Sequence, residues 1–399
     1  MGKVDKKHTM EEKPGIHKKN RCKIIILLAI FYVLLICISL LAFEIYLRYT
    51  STYAVKQEPT GPVTGILEGR PISLFKETPN GRRWVPNSHA IVRNHVISKR
   101  DIKMDINSQG FRDHEVPDFK LNNEIRILAL GDSITGGDYL QADEVYVERL
   151  EYYLNQSAPG GMSVEVINAG VSDVGLKEEV QILQEDGLAT RPDIVMIAFY
   201  LNDSRPPWGF EGEMGTQGFL RRHSLVAQHI YKWLVFRKWL KESGRSRFAD
   251  WAKAQTTLDW KNDRNAFLKL VSLADLDWGA AWEDASWVSL DPEFIRLKEL
   301  SERYSFKTVF VAFPTSFQVY ANFIEDKPQQ KLKEITRKYG FFYFDLLPVL
   351  REHKNEDLFF DACHPRVPTN DLIGKALAEY LEKNVLADFF ITSPEKSKQ

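Results

Sequence analysis

Cysteine is scarce in this chain. Of three in 399 residues, Cys22 and Cys37 lie at or inside an apolar run, which leaves Cys363 alone in the remainder. A single thiol supports no intramolecular disulfide framework. An excess of charge of one sign is also missing: 53 Lys and Arg face 54 Asp and Glu, for a formal charge of -1. No global basic field favours nucleic acid, so no nucleic-acid partner is expected. The nine histidines form no H-E-x-x-H and no Cys/His cluster with ligand spacing, so no metal and no cofactor is expected. "GDSITGG" has the glycine spacing of a P-loop, but Gly137 and Asp138 stand where the phosphate-binding Lys and Ser/Thr belong, which excludes nucleotide hydrolysis. No G-x-S-x-G elbow surrounds Ser133, which separates the chain from the α/β-hydrolases.

What is present begins with residues 24–43, "IIILLAIFYVLLICISLLAF", twenty residues without a charge. At 1.5 Å per residue this matches a hydrocarbon core about 30 Å thick. Lys13, Lys18, Lys19, Arg21 and Lys23 precede the run, and only Arg48 and Lys56 follow it closely. The positive-inside rule then predicts a single-pass anchor with a cytoplasmic N-terminus and everything after residue 45 outside. The competitor is a cleaved signal peptide, against which stand the long basic region and the lack of an immediate small-x-small site. Lipoprotein processing is disfavoured by Ile36 before Cys37.

Residues 1–23 therefore read as a cytoplasmic basic tail and 44–90 as a stalk or irregular lead-in, since "EPTGPVTG", "TPNG" and "VPNS" carry turn chemistry without periodicity. Residues 91–385 read as one enzyme-like domain and 386–399 as a tail. Within the domain, "IRILAL" (125–130), "VEVINAG" (164–170), "DIVMIAFY" (193–200), "KTVFVAF" (307–313) and "FFYFDL" (341–346) alternate with helical patterns such as "EVYVERLEYYLNQ" and "PQQKLKEITRKYG". Strands alternating with helices imply an α/β fold with a parallel sheet covered on both faces. Residues 204–290 interrupt the rhythm as an insertion after the third strand, holding eight of the nine tryptophans. Its stretch 219–245 carries seven Lys/Arg against one acid. That basic segment suits either an anionic membrane surface, an acidic polymer, or a lid helix with a solvated face. Trp278, Trp282 and Trp287 are read as core packing ahead of sugar stacking.

A serine at the C-terminal edge of a strand acts as a nucleophile only with a base beside it. His364 in "FFDACHP" is the candidate base for Ser133, and Asp361, three residues earlier, can hold the imidazole and stabilise its protonated form. "NAG" closes the second strand and "YLND" the third, so the Gly170 N–H and the Asn202 amide converge on the same edge as oxyanion donors. Cys363, between the acid and the base, reads as a small packing residue and not as a nucleophile.

Together, "GDSIT" with Ser133, "NAG" with Gly170, "YLND" with Asn202 and "DACH" with Asp361 and His364 resemble the SGNH or GDSL hydrolase superfamily. The resemblance spans residues 124–385 around the insertion, with a weaker echo in "INSQGFRDHEV" (106–116), a phrasing found in membrane-anchored members. It implies a flavodoxin-like three-layer sandwich with a five-stranded parallel sheet. It also implies Ser133 as nucleophile, Asp361 and His364 as acid and base, and an oxyanion hole of Ser133, Gly170 and Asn202. Tyr200 departs from the glycine of the family's Gly-x-Asn-Asp block and bears on pocket shape.

The activity expected is that of an extracytoplasmic serine esterase acting on an O-acyl group, plausibly O-acetyl, of a cell-surface glycan or lipid. An O-acyltransferase using the same triad stays open, as does a non-catalytic glycan-binding or assembly protein on a degenerate SGNH fold, with cell-envelope assembly partners. "NDS" at 202–204 is formally a glycosylation sequon on the oxyanion asparagine itself. A glycan there would block the site, which favours a bacterial periplasm or cell surface.

Overall fold

The computed structural model describes residues 15–56, 63–64, 66–67, 70–71, 74–78, 80–204, 224–243, 245–275 and 277–391. Two compact units divide the chain, one of residues 1–53 and 218–230, the other of residues 54–217 and 231–399. The first holds most of the helix Gly15–Lys56, whose stretch Lys23–Leu47 is long and apolar enough to cross a bilayer. A signal sequence near the N-terminus satisfies the same criteria. In this unit the Glu44 carboxylate accepts hydrogen bonds from the Ser224 hydroxyl (2.9 Å) and from the N–H groups of Leu225 (3.2 Å) and Val226 (2.9 Å). It satisfies donors that a helix start leaves open, here that of the helix Leu225–Ser243.

The second unit is built on a parallel sheet of five strands: β1 (Glu124–Gly131), β2 (Ser163–Asn168), β3 (Ile194–Tyr200), β4 (Lys307–Phe313) and β5 (Phe342–Asp345). Their spatial order is β2-β1-β3-β4-β5, and every neighbouring pair is parallel. This is the flavodoxin-like order, in which the chain starts centrally, steps out one way and returns to build the other side. Strands covered on both faces need apolar side chains throughout, and all seven residues of β3 are buried.

Helices α1 (Tyr146–Ser157) and α5 (Val367–Leu381) pack together on one side. Helices α2 (Leu176–Glu185), α3 (Asp284–Tyr304) and α4 (Lys327–Tyr339) form the second layer. The three-layer sandwich expected from sequence is thus observed, with its strands where the apolar runs predicted them.

The structure departs from the sequence expectation at both ends of the domain. The N-terminal helix continues to Lys56, and the region read as an irregular lead-in contains an antiparallel pair, Phe75–Thr78 with Gly81–Trp84. A second antiparallel pair joins Ser88–Val92 to Ile102–Ile106. The strands Phe75–Thr78 and Gly81–Trp84, four residues each, are too short for a period of two to emerge. At the other end, helical structure runs on to Ile391, and Leu386, at the start of the stretch read as a tail, is fully buried in the core.

The insertion is helical where described: after Leu225–Ser243 come Arg245–Thr257, Arg264–Leu273 and a tight turn Trp278–Trp282 that leads into α3. Trp278, Trp282 and Trp287 are core residues, whereas Trp233 is 52% exposed. The Trp278 ring stacks on Phe317 (5.5 Å between centroids) and the Trp287 ring on Phe199 (5.5 Å). The Trp287 indole N–H donates to the Ala281 carbonyl at 2.8 Å. Aromatic pairs of this kind add to the burial of their large apolar area. Trp287→Ala should therefore cost about 3–5 kcal/mol in a denaturant melt. The neighbouring Val288→Ala, at a position 73% exposed, should stay within about 0.5 kcal/mol.

Candidate active site

Ligand sites in open α/β sheets form beyond the C-terminal strand ends, and the predicted site residues occupy that edge. β1 ends at Gly131, and Ser133 opens the short helical turn Ser133–Gly136. Asp132 caps this turn by accepting from the Ile134 N–H at 2.9 Å, while its second oxygen accepts from the Asn202 side-chain amide at 3.2 Å. Burial pushes this carboxyl up to about 6, against the lowering effect of the Ile134 N–H. Gly137 follows the turn at φ +62°, and a Cβ there would come within 2.4 Å of Val145 and 3.1 Å of the Arg112 guanidinium. Only glycine suits a left-handed residue in so tight a place.

The Ser133 hydroxyl lies 2.9 Å from His364 Nε2, and His364 Nδ1 lies 2.8 Å from Asp361 Oδ2. The Asp361 carboxylate also accepts from the N–H groups of Cys363 and His364, both at 2.9 Å. Burial alone would raise the Asp361 carboxyl, but the His364 hydrogen bond and charge together with these two amides outweigh it and hold Asp361 at about 2. For His364, burial opposes the imidazolium, yet the hydrogen bond and charge of Asp361, with Asp132 and Asp138 beyond, raise it above its ordinary value. Such an arrangement suits a base that takes a hydroxyl proton and is held in one tautomer. Burial pushes the Cys363 thiol well up, so it stays protonated and is a poor nucleophile. Asp361, Cys363 and His364 offer three ligand-type atoms within 4.8 Å of one another. Both imidazole nitrogens, however, are already engaged, by Ser133 and by Asp361.

Gly170 and Asn202 lie beside this group, just past the ends of β2 and β3. A Cβ on Gly170 would come within 2.3 Å of the Gly136 nitrogen and 2.6 Å of the Thr135 carbonyl carbon, so the absent side chain lets the turn Ser133–Gly136 close on it. The Gly170 N–H meets Asn168 Oδ1 at 3.1 Å. Asn202 meets Asp132 as described and keeps a second amide hydrogen. All five sequence candidates, Ser133, Gly170, Asn202, Asp361 and His364, therefore converge on one strand edge.

Other residues at the site escaped the sequence reading. Arg112, 2% exposed, donates to the carbonyls of Gly136 (2.9 Å), Gly137 (2.5 Å) and Leu140 (2.6 Å). Burial lowers its guanidinium to about 10, which leaves it charged at neutral pH. The adjacent Asp113 accepts from the Asn168 N–H at 2.7 Å. The echo "INSQGFRDHEV" was their signal. Asp277, on the insertion, is exposed yet has its carboxyl raised by partial desolvation, with the Trp278 N–H opposing, Asp132 reinforcing and His364 opposing. No short motif marked it. Asp138 accepts from the Ser172 hydroxyl at 2.8 Å. The nearby His95 is lowered by burial and by the charges of His364 and Arg112, against the pull of Asp138.

No protein-family model matches the chain, and no curated protein matches it either. Among solved structures it is similar to a catalytic mutant of Axe2, an acetylxylan esterase from Geobacillus stearothermophilus, at 15% identity over 66% of this chain and 95% of that one, with a TM-score of 0.36. It is also similar to a two-domain esterase active on acetylated mannans, at 15% identity over 65% of this chain and 49% of that one, TM-score 0.36. A third is a lipolytic protein of the G-D-S-L family from Desulfitobacterium hafniense DCB-2, at 13% identity over 64% of this chain and 98% of that one, TM-score 0.33.

A base must be neutral to accept a proton, so a raised His364 pKa moves the acid limb of any ester turnover to higher pH. Wild-type kcat/KM should fall as the pH drops through a midpoint above the ordinary 6.5. Asp361→Asn removes the partner that raises it. The limb should shift to lower pH and kcat should fall by about 10⁴ through loss of the correct tautomer. A pH–rate profile of the two proteins on p-nitrophenyl acetate checks this, and an unmoved limb would count against Asp361 as the partner of His364.

Proposed function

We propose that the chain is a membrane-anchored SGNH/GDSL-type serine esterase that works outside the cytoplasm and removes an O-acyl group, acetyl first, from a cell-surface glycan or lipid. The observation that carries this is the hydrogen-bonded series Ser133, His364, Asp361, with separations of 2.9 and 2.8 Å, at the C-terminal edge of a parallel sheet. A degenerate binding protein would have no need of it.

In the reaction, the Ser133 proton passes to His364 Nε2 as the oxygen attacks the ester carbonyl. The carbonyl oxygen becomes an oxyanion, facing the Ser133 and Gly170 N–H groups and the Asn202 amide. Collapse of the intermediate expels the alcohol, which takes the proton from His364 and leaves an acyl-Ser133. Water, deprotonated by the same imidazole, then frees the acid and regenerates the serine. If a sugar hydroxyl replaces water in the second half, the same residues perform acyl transfer. Asp361, Asp132 and Asp138 place negative charge around His364, which favours an uncharged carrier over a polyanion.

The apolar run and the basic residues ahead of it support a cytoplasmic N-terminus. A reporter that works only outside the cytoplasm, fused after Gln399, should be active, and strong activity of a cytoplasm-only reporter at the same point would refute this orientation. For the chemistry, the full-length chain in detergent should react with a fluorophosphonate at Ser133 and hydrolyse p-nitrophenyl acetate. Ser133→Ala should lose both while melting like wild type. Mass analysis of the products with an added oligosaccharide separates the two fates: free acetate supports the esterase, an acetylated saccharide the transferase.

A further inference from the structure

Two buried side chains from the segment ahead of β1 approach the nucleophile turn from behind, and each completes the fixing of one peptide plane. In the Gly170–Val171 plane, the Val171 N–H donates to the Gly131 carbonyl at 3.0 Å, and the Gly170 carbonyl accepts from the Trp84 indole N–H at 2.8 Å. In the Gly136–Gly137 plane, the Gly137 N–H donates to the Ser133 carbonyl at 2.9 Å, and the Gly136 carbonyl accepts from Arg112 at 2.9 Å. Both planes belong to glycines, which have no side chain to restrict them and rotate most freely of all residues. A planar peptide held at both ends cannot turn.

Resting on the esterase reading, we propose that Trp84 and Arg112 are positioning residues that aim the two backbone donors of the oxyanion hole, Trp84 through Gly170 and Arg112 through the turn that carries Ser133. Neither touches substrate. Trp84 is 1% exposed and stacks on Phe75, with centroids 4.1 Å apart, so its ring already has a packing role. The indole N–H is the separable part. Gly170 is the more dependent of the two glycines. Among the described residues its own N–H donates to the Asn168 side-chain oxygen at 3.1 Å, so its direction follows from that contact together with the planes on either side. Preorganised donors act because they need no reorganisation when charge develops, and misplacement of about 1 Å can cost 10²-fold in rate.

Trp84→Phe in the full-length chain keeps a stacked ring and deletes the hydrogen bond. On p-nitrophenyl acetate it should lower kcat by about 10- to 100-fold with KM within about twofold, since an oxyanion donor acts in the transition state alone. Fluorophosphonate labelling of Ser133 should slow by a similar factor. Combined with Asn202→Ala, the loss should be smaller than the product of the single losses, as expected of residues serving one anion. Arg112→Lys, which retains the charge but not the planar fork, should behave like Trp84→Phe and covers the case in which the aromatic change disturbs folding. A purely structural role would instead lower the melting temperature and leave kcat and the labelling rate of the folded fraction at wild-type values, and that result would overturn the inference. Wild-type protein whose Ser133 does not label at all would overturn the esterase reading itself, and this inference with it.

Discussion

The site depends on one buried carboxylate. Asp132, 2% exposed, stands between Gly131 and Ser133 and spends one oxygen on the Ile134 N–H and the other on the Asn202 amide. The first contact starts the helical turn and so decides where the serine hydroxyl emerges. The second ties the end of β1 to the end of β3, adjacent strands in register from Ile127 opposite Ile194 to Gly131 opposite Ala198. A buried carboxyl without such partners would be costly. Here the desolvation that makes it costly also strengthens both hydrogen bonds.

Asp132 is not the only acid in this part of the interior. Glu179 on α2 and Asp203 beside Asn202 are almost fully buried, at 0% and 1% exposure, and burial raises both carboxyls well above their usual range, reinforced at Glu179 by the charge of Asp132 and at Asp203 by those of Glu179 and Asp132. Neutral acids are therefore favoured at those two positions. Asp203 still serves the local backbone, accepting from the Tyr200 N–H at 2.9 Å and so curling the chain back at the end of β3. That curl brings the Asn202 amide to Asp132, the residue ahead of Ser133, instead of letting it continue along the strand. Asp132 thus holds Asn202 and Asp203 holds the turn beside it, while Asp361 holds His364.

Two regions outside the alternating strands and helices turn out to belong to the site's surroundings. The lead-in brings Trp84 and Arg112 against backbone carbonyls at the strand edge, and Arg82 pairs with Asp173 just beyond Gly170. The insertion packs its turn Trp278–Trp282 against the turn Leu201–Ser204 that carries Asn202. A Cβ on Gly279 would come within 2.2 Å of the Val271 carbonyl oxygen, so that turn closes as tightly as it does only on glycine. The Trp278 ring, stacked on Phe317, reaches the helix whose first residue, Ser316, donates its N–H to the Ala362 carbonyl at 2.8 Å in the loop of Asp361 and His364.

By itself the sequence determined the strands, their alternation with helices, the apolar N-terminal run and the five residues that meet at one edge. Those features are local: an apolar run of six to eight residues in a sheet buried on both faces has few alternatives, and Ser133, Gly170, Asn202 and the Asp361–His364 pair each follow a strand or sit within four residues of one another. Tertiary structure alone decided what fixes those residues in position. Arg112 serves carbonyls 24 to 28 residues away, Trp84 one 86 residues away, and Asn202 meets Asp132 across 70. Backbone carbonyls have no side-chain identity, so a sequence pattern cannot reveal that a distant indole or guanidinium is aimed at them. The short strands of the lead-in were hidden for a related reason: they are held by pairing and by contact with the domain, and four residues are too few to display a period.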